Sequence, residues 1–359
     1  RGPAQPVTAY TLYGQVLEKL DEYAEAESAL REAVRLAEAT DGPLQRHYRI
    51  ALTHLGALLG ARGKPQEALP VARRALDVAV EQLGPDAPNL VNVLLDLAEV
   101  ERTLGEMPQA FAHYGRAGQL IAAHGADVER QVQVRHYRGL GLLQYQLGAY
   151  DDARASLAAG LKVAGDDPAL SVERAGVLLA LAHLDATTEP ERARAQIGQA
   201  LALYAARLPA AHPVLLRVVN DLCGIDIRTA PAAAPNCLDA QRRLEAAREV
   251  EPGLRYAVYA NASALAEARG NGGAAWLHAV RALSAAATLG TPDPAWQAQY
   301  RLATLLHHRG DDSLAIFFGK QAIDSIELPA NTSGQVTQSS CRPGSCVTRS
   351  ASIVQRPTG

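Results

Sequence analysis

The sequence predicts an all-α fold in which helix pairs stack into a solenoid. The first observation is a period: four similar turn segments, centred on Asp21, Gly63, Gly105 and Gly148, follow one another at steps of 42, 42 and 43 residues. The second is composition, since 48% of the 359 residues are hydrophobic but only 5% are aromatic, which suits close-packed helices better than strands. A period of this length indicates one supersecondary unit stacked many times.

Each turn separates two helical patterns. Before the second turn, apolar and small residues recur at the i, i+3, i+4 and i+7 spacing of one helix face: Leu52, Leu55, Gly56 and Leu59. After each turn, small residues lie seven positions apart, as Ala26/Ala33, Ala68/Ala75, Ala110/Ala117 and Ala153/Gly160. Small residues let two helix backbones approach closely. Glycine at the turn ends the first helix, because it reaches the left-handed conformation at little cost.

The repeat pattern weakens after the fifth helix pair and then returns. Glu189 and Pro190 mark the fifth turn, the segment TAPAAAPNC splits two helical patterns, and Gly270 and Gly310 mark two later turns. The predicted organisation is an N-terminal extension (1–7), an array of about five helix pairs (8–212), an irregular pair with a Pro/Ala loop (213–255), two further pairs (256–327) and a disordered Ser/Thr-rich tail (328–359).

This pattern resembles the tetratricopeptide repeat, a helix-turn-helix unit. The resemblance implies a right-handed superhelical solenoid with a concave groove that binds a peptide or a partner domain. The step of 42 residues exceeds that family's usual length, and the excess falls between units, as in EQLGPDAPNLVNVLLDLAEV. In this respect the chain looks like the longer repeats of kinesin light chains and many bacterial scaffold proteins. The match covers residues 8–165.

A second resemblance rests on the stretch LAIFFGKQAI, which ends at Ile323. It is similar to the segment that precedes the peptidase domain in bacterial CHAT-family proteins, which join repeats to a caspase-like cysteine peptidase. The 32 residues after Glu327 contain no His, Asp or Glu, and ten of them are Ser or Thr. A thiol without a nearby base is not an activated nucleophile. The resemblance therefore implies a repeat region that lacks its catalytic domain.

Charge and cysteine content limit the expected partners and location. A net charge of −3 and a pI near 6.4 give no reason to expect nucleic acid or an anionic membrane as the main partner. No apolar run is long enough to span a membrane. Four cysteines are too few and too clustered for a disulfide framework, so we expect a cytoplasmic protein, with a secreted chain trimmed of its signal as the alternative. The first residue, Arg1, lacks a signal-like context and indicates a fragment or a processed chain.

No catalytic, cofactor or metal site is predicted. Cys341 and Cys346 have no other Cys or His in the tail to complete a metal site. His307 and His308 end a helix, where a cation is favourable, although metal binding is the alternative. Paired carboxylates such as Asp151 and Asp152 begin helices and cap free N–H groups, and ARGNGG lacks the Lys-Ser/Thr of a phosphate loop. Cys223 and Cys237 either close the Pro/Ala loop as a disulfide or remain partly buried thiols.

The groove is the candidate binding site. In a tetratricopeptide array, the first helix of each pair lines the concave surface, and its side chains outside the core face the ligand. These positions are Asn92, Leu95, Glu99 and Arg102 in the third repeat, and Arg135, Arg138, Leu142 and Tyr145 in the fourth. The mixture of Arg, Asn and Tyr suggests an extended partner segment with acidic groups. The alternative is that these residues are simply solvated.

Two functions follow from these expectations. The first is a non-catalytic protein–protein interaction scaffold that binds a peptide or partner domain in its groove. The second is the regulatory or substrate-recruiting arm of a multidomain enzyme, either a CHAT-type cysteine peptidase or a signalling kinase, whose catalytic domain is absent from this chain.

Overall fold

The computed structural model describes residues 4–20, 22–39, 45–247, 250–289 and 292–327. Within these ranges the chain forms sixteen α-helices arranged as eight consecutive pairs. The first four pairs are α1 (Ala4–Lys19) and α2 (Tyr23–Glu38), α3 (Gln45–Ala61) and α4 (Pro65–Leu83), α5 (Leu90–Leu104) and α6 (Met107–His124), and α7 (Arg130–Gln146) and α8 (Tyr150–Ala164).

The remaining four pairs continue the same order. They are α9 (Ser171–Asp185) and α10 (Pro190–Ala205), α11 (Pro213–Thr229) and α12 (Pro235–Ala246), α13 (Pro252–Ala268) and α14 (Gly272–Ala286), and α15 (Pro292–His308) and α16 (Asp312–Glu327). Each helix packs mainly on its partner in the pair and on the adjacent helix of the next pair. The predicted all-α solenoid is confirmed.

Glycine ends the first helix at the turns that the period predicts. The residues with positive φ at these turns include Gly63 (70°), Gly105 (80°), Gly148 (77°), Gly270 (72°) and Gly310 (79°). Side chains adopt this backbone conformation only with strain. The predicted turn residue Asp21 lies outside the described residues.

The small residues allow the close helix contact that the sequence indicates. A Cβ placed on Gly14 would lie 2.7 Å from Cγ of Leu30, and one placed on Gly141 would lie 2.7 Å from Cγ of Leu157. Both distances are shorter than real Cβ contacts, so glycine is required for these helix pairs to approach so closely. Gly14 and Gly141 occupy equivalent positions in their repeats, which explains why the pattern recurs with the period.

The structure corrects two predicted boundaries. Helix α1 begins at Ala4, so residues 4–7 belong to this helix and are not an extension. Val7 is fully buried. Helix α13 begins at Pro252, because proline is favourable in the first turn of a helix. Residues 252–255 therefore belong to the next pair. The predicted tail, 328–359, lies outside the described residues.

The irregular pair differs from the others in length and connection. Helix α12 has only 12 residues, and the Pro/Ala loop before it contains Ala234 with a φ of 24°. A disulfide between Cys223 of α11 and Cys237 of α12 joins the two helices. Of the two states that the sequence left open for these cysteines, the structure contains the bonded one.

The curvature of the array brings distant repeats together. A Cβ added to Gly63, at the turn of the second pair, would lie 3.3 Å from Oε1 of Glu251. Glu251 directly precedes α13 in the seventh pair. The first helices of the intervening pairs therefore surround a concave space, and this space contains the candidate site.

Candidate functional site

A cavity of about 440 Å³ lies on the concave side of the array. Its walls come mainly from α3, α5, α7 and α11, together with Pro65 of α4, Tyr114 of α6 and the residue that precedes α13. Five of the eight predicted groove residues line it: Leu95, Glu99, Arg102, Arg135 and Arg138. The structure thus brings together side chains from the third and fourth repeats, as the period implies.

The other three predicted residues lie outside the cavity. Asn92 is exposed, and its backbone carbonyl accepts a hydrogen bond from Nη2 of Arg135 at 3.2 Å. Leu142 is half-buried and packs against a hydrophobic core cluster. Tyr145 is exposed, and its ring lies 5.7 Å from that of Tyr150. The predicted stripe therefore extends beyond the wall of this cavity.

Most charged groups of the cavity already have partners. Arg135 donates to Oδ1 of Asp96 at 2.5 Å. Arg102 donates to Oε1 of Glu99 at 2.5 Å and to the side chain of Gln146 at 3.0 Å. These arginines therefore serve first to neutralise carboxylates of the same wall.

The carboxylates of this wall differ in their pKa because their surroundings differ. Burial raises the pKa of Asp96, and the neighbouring Arg135 opposes that shift only in part. Burial also acts to raise the pKa of Glu99, but hydrogen bonds and charge from Arg102 outweigh it and leave the pKa lowered. The hydroxyl of Tyr114 donates to Glu99 at 3.0 Å, which further stabilises the charged carboxylate. Glu99 is thus an ionised, fully partnered group.

Arg138 is the exception. Among the residues that the structure describes, no hydrogen bond or ion pair partner is found for its guanidinium, which faces both the 440 Å³ cavity and a smaller one of about 100 Å³. The guanidinium lies against α9, where a Cβ on Gly176 would come within 2.6 Å of its Nη1 atom. A larger residue at position 176 would displace Arg138. The charge of Arg138 helps to lower the pKa of Glu99, but none of its five donors bonds to a described acceptor, so the guanidinium can bind an anionic group.

Four ionisable lining residues were missed by sequence reasoning. Asp96 and Tyr114 line the cavity beside the predicted residues, and Asp96 is recognisable in retrospect, since it follows Asn92 by one helical turn. Arg217 and Glu251 come from the irregular part of the chain and form an ion pair at 3.0 Å. No spacing in the sequence connects these two residues to the fourth repeat, because only the curvature of the array places them there.

The described residues contain no group of three or more His, Cys, Asp or Glu side chains arranged to hold a metal ion. His307 lies at the end of α15, where its Nδ1 is 2.8 Å from Oδ1 of Asp312. Cys341 and Cys346 lie outside the described residues. In the part of the chain that the structure describes, no helix has both the length and the apolar content needed to cross a membrane.

Comparisons with known proteins agree with this architecture. The tetratricopeptide repeat family model matches residues 5–79 and 48–119. No curated protein sequence matches the chain. The solved apo form of the quorum sensor NprR from B. thuringiensis is similar in fold, with a TM-score of 0.65 at 12% identity, over 89% of this chain and 87% of that chain.

A second similar structure is that of a Rap protein complexed with Competence and Sporulation Factor. It has a TM-score of 0.58 at 13% identity and covers 77% of this chain and 76% of that chain. At these identities the similarity concerns the fold alone. The family match shows tetratricopeptide repeats in residues 5–119, and helix pairs stacked in the same way continue through residue 327.

Proposed function

We propose that the chain is a non-catalytic scaffold that binds an extended peptide segment with an acidic group in its concave cavity. The observation that carries this proposal is Arg138, a guanidinium that faces the cavity without a carboxylate partner among the described residues. Placing a cation out of full contact with water is costly unless it is paired. An anionic ligand group supplies the missing partner.

The surrounding side chains support an elongated ligand over a compact one. Arg138 and Arg135 provide guanidinium groups on α7, Leu95 provides an apolar surface on α5, and the hydroxyl of Thr103 lines the same cavity. Guanidinium binds carboxylate through two parallel hydrogen bonds, which gives both energy and orientation. We therefore expect a ligand that places a carboxylate near α7 and uncharged groups toward α3, where glycine and alanine leave space.

The fold supports a peptide as the ligand. The similar Rap structure contains Competence and Sporulation Factor, so a solenoid of this fold holds another molecule in that complex. Because the similarity does not extend to sequence, it says nothing about which peptide this chain binds. The expectation that the array instead serves as the recruiting arm of a multidomain enzyme rests on the LAIFFGKQAI stretch and stays a prediction.

The test is selection of ligands from a random peptide library, followed by affinity measurements with the selected peptides. Arg138→Ala removes the free guanidinium, and hydrogen bonds to charged groups contribute about 1.5–3 kcal/mol. We therefore expect binding to weaken by about tenfold or more, as measured by fluorescence polarisation of labelled peptides.

The matched control is Arg309→Ala, since Arg309 is an exposed arginine outside the cavity. It leaves the affinity unchanged if the cavity is the binding site. Circular dichroism of both variants verifies that their helix content is equal. Equal affinity of the Arg138→Ala variant and the unsubstituted chain for every selected peptide would show that the proposal is wrong.

A further inference from the structure

Helix α1 presents an apolar face that the equivalent helices of later repeats bury. Five residues before the turn, Leu58 of α3 and Leu305 of α15 are 0% and 4% exposed, but Val16 of α1 is 52% exposed. Eight residues before the turn, Leu55 is buried, while Tyr13 is exposed. The face of α1 that contains Ala9, Tyr13 and Val16 is therefore that of an internal repeat without its neighbour.

Helix α16 presents the complementary face at the other end of the described array. Sixteen residues after the turn, Ala79 of α4 and Ala286 of α14 are 0% and 1% exposed, but Ile326 of α16 is 60% exposed. Ile323, one helical turn earlier, is also exposed, whereas its equivalent Leu283 packs against the core. The uncovered face of α16 contains Gly319, Ile323 and Ile326.

The α16 face and the α1 face correspond to the two sides of an interface that already exists between successive helix pairs of this chain. Between α14 and α15, Ala279 and Leu283 of the second helix in one pair belong to the same hydrophobic cluster as Leu302 and Leu305 of the first helix in the next. Ala279 is the equivalent of Gly319, and Leu305 is the equivalent of Val16. The free face of α16 thus has the pattern that packs on the free face of α1.

Within the described residues, neither α1 nor α16 presents the polar outer surface that caps a solenoid. Terminal repeats of such arrays normally carry polar outer faces, because an uncovered repeat interface is apolar. Here the two faces carry exposed aliphatic or aromatic side chains, namely Tyr13 and Val16 on α1 and Ile323 and Ile326 on α16. Contiguous apolar surfaces of this kind mark interaction sites.

We propose that copies of this chain associate end to end, with the α16 face of one copy packed on the α1 face of the next. The contact is heterologous, because it joins two different surfaces. It continues the stacking of helix pairs across the boundary between copies. Because no described residue of the same copy covers either face, further copies add at both ends and the concave cavity recurs along the assembly.

The test uses two single substitutions in the full chain, each of which blocks one end. Val16→Asp places a charge on the α1 face, and Ile323→Asp places a charge on the α16 face. Both positions are exposed in one copy, so neither substitution disturbs the fold of a single chain. Sedimentation velocity over a wide range of protein concentrations reports association. The unsubstituted chain is expected to form species that grow with concentration, and each variant alone is expected to remain a monomer.

Mixing the two variants identifies the faces that meet. The Val16→Asp chain keeps an intact α16 face and the Ile323→Asp chain keeps an intact α1 face, so an equimolar mixture is expected to form dimers and nothing larger. The control Phe111→Asp alters an equally exposed side chain in the middle of the array and is expected to associate like the unsubstituted chain. A monomeric unsubstituted chain at every concentration would overturn the proposal. Association of either end variant by itself would also overturn it, since the contact would then join two like faces or use another surface.

Discussion

At the scale of single residues, His136 is a polar side chain placed in the core of the array. It is 4% exposed, and its Nδ1 has no hydrogen bond partner. Its ring lies between those of Tyr114 and Tyr137, with ring centres 6.3 and 5.2 Å away. Burial lowers the pKa of His136 to about 4, because the charged imidazolium is poorly solvated there. The folded chain therefore keeps this histidine neutral.

This shift predicts that the chain loses stability as the pH falls. An unfolded histidine has a pKa of about 6.5, so between pH 6.5 and about 4 the unfolded state binds a proton that the folded state does not. The free energy of unfolding should fall across this window by on the order of 3 kcal/mol. Urea denaturation at a series of pH values measures it. In His136→Gln the decrease should be smaller by that amount, and an identical pH dependence in both chains would contradict the assignment.

At the scale of elements, buried carboxylates join successive helix pairs. Asp185 of α9 is fully buried and accepts hydrogen bonds from Arg154 of α8 at 2.6 Å and from Gln196 of α10 at 2.9 Å. Asp226 of α11 similarly accepts from Arg194 of α10 at 2.7 Å. In both cases an arginine of the preceding pair reaches a carboxylate of the next. These ion pairs set the orientation between neighbours, while the apolar clusters provide most of the burial.

Removing one of these carboxylates should destabilise the array. Asp185→Ala removes the carboxylate that pairs with Arg154 and Arg192. Hydrogen bonds to charged groups contribute about 1.5–3 kcal/mol, and water partly compensates the two arginines because both are partly exposed. The midpoint of urea denaturation, followed by circular dichroism, should fall accordingly. Asp152→Ala is the matched control, because Asp152 is an exposed carboxylate of α8. Equal midpoints for the two variants would show that the buried pair contributes nothing.

The disulfide has a comparable role in the irregular pair. Cys223 and Cys237 are almost fully buried and lie 14 residues apart, so the bond closes the Pro/Ala loop where α12 is too short to form a full interface. A loop of this length gives a stabilisation of about 3 kcal/mol. Such bonds are rare in the cytosol, and the cytoplasmic location stays a prediction.

Reduction should lower the thermal stability of the chain. A reducing agent is expected to decrease the melting temperature of the unsubstituted chain and to leave that of the Cys223→Ala/Cys237→Ala double variant unchanged. Differential scanning calorimetry with and without the reducing agent measures both. Peptide mapping without reduction should yield one cross-linked peptide that contains the two residues. If the cross-linked peptide is absent, Cys223 and Cys237 are free thiols.

At the scale of the whole molecule, the cavity depends on superhelical curvature. The approach of Gly63 to Glu251 and the ion pair between Arg217 and Glu251 bring the second, sixth and seventh pairs to one concave surface. This curvature is the sum of small rotations between neighbouring repeats. No single helix pair encodes it, and no local spacing reveals it.

The sequence by itself determined the fold class, the period, the turns and the identity of the helix face that lines the groove. These features are local: glycine is needed where φ is positive, as at Gly105 and Gly148, and small residues are needed where two helices of one pair touch. Spacing along the chain records such requirements directly. The same local signal placed Leu95, Glu99, Arg102, Arg135 and Arg138 along one surface.

Only the tertiary structure decided which of those side chains are available to a ligand. Arg135 and Arg138 are three residues apart and indistinguishable in sequence, yet Asp96 bonds directly to the first, whereas no described residue forms a hydrogen bond or ion pair with the second. The difference arises because the distance from an arginine to a carboxylate of a neighbouring repeat depends on how the two repeats pack. Arg217 and Glu251 also reach the cavity from a distant part of the chain. Residue type and period establish where a groove lies, whereas contacts between repeats decide which of its charged side chains are available to a ligand.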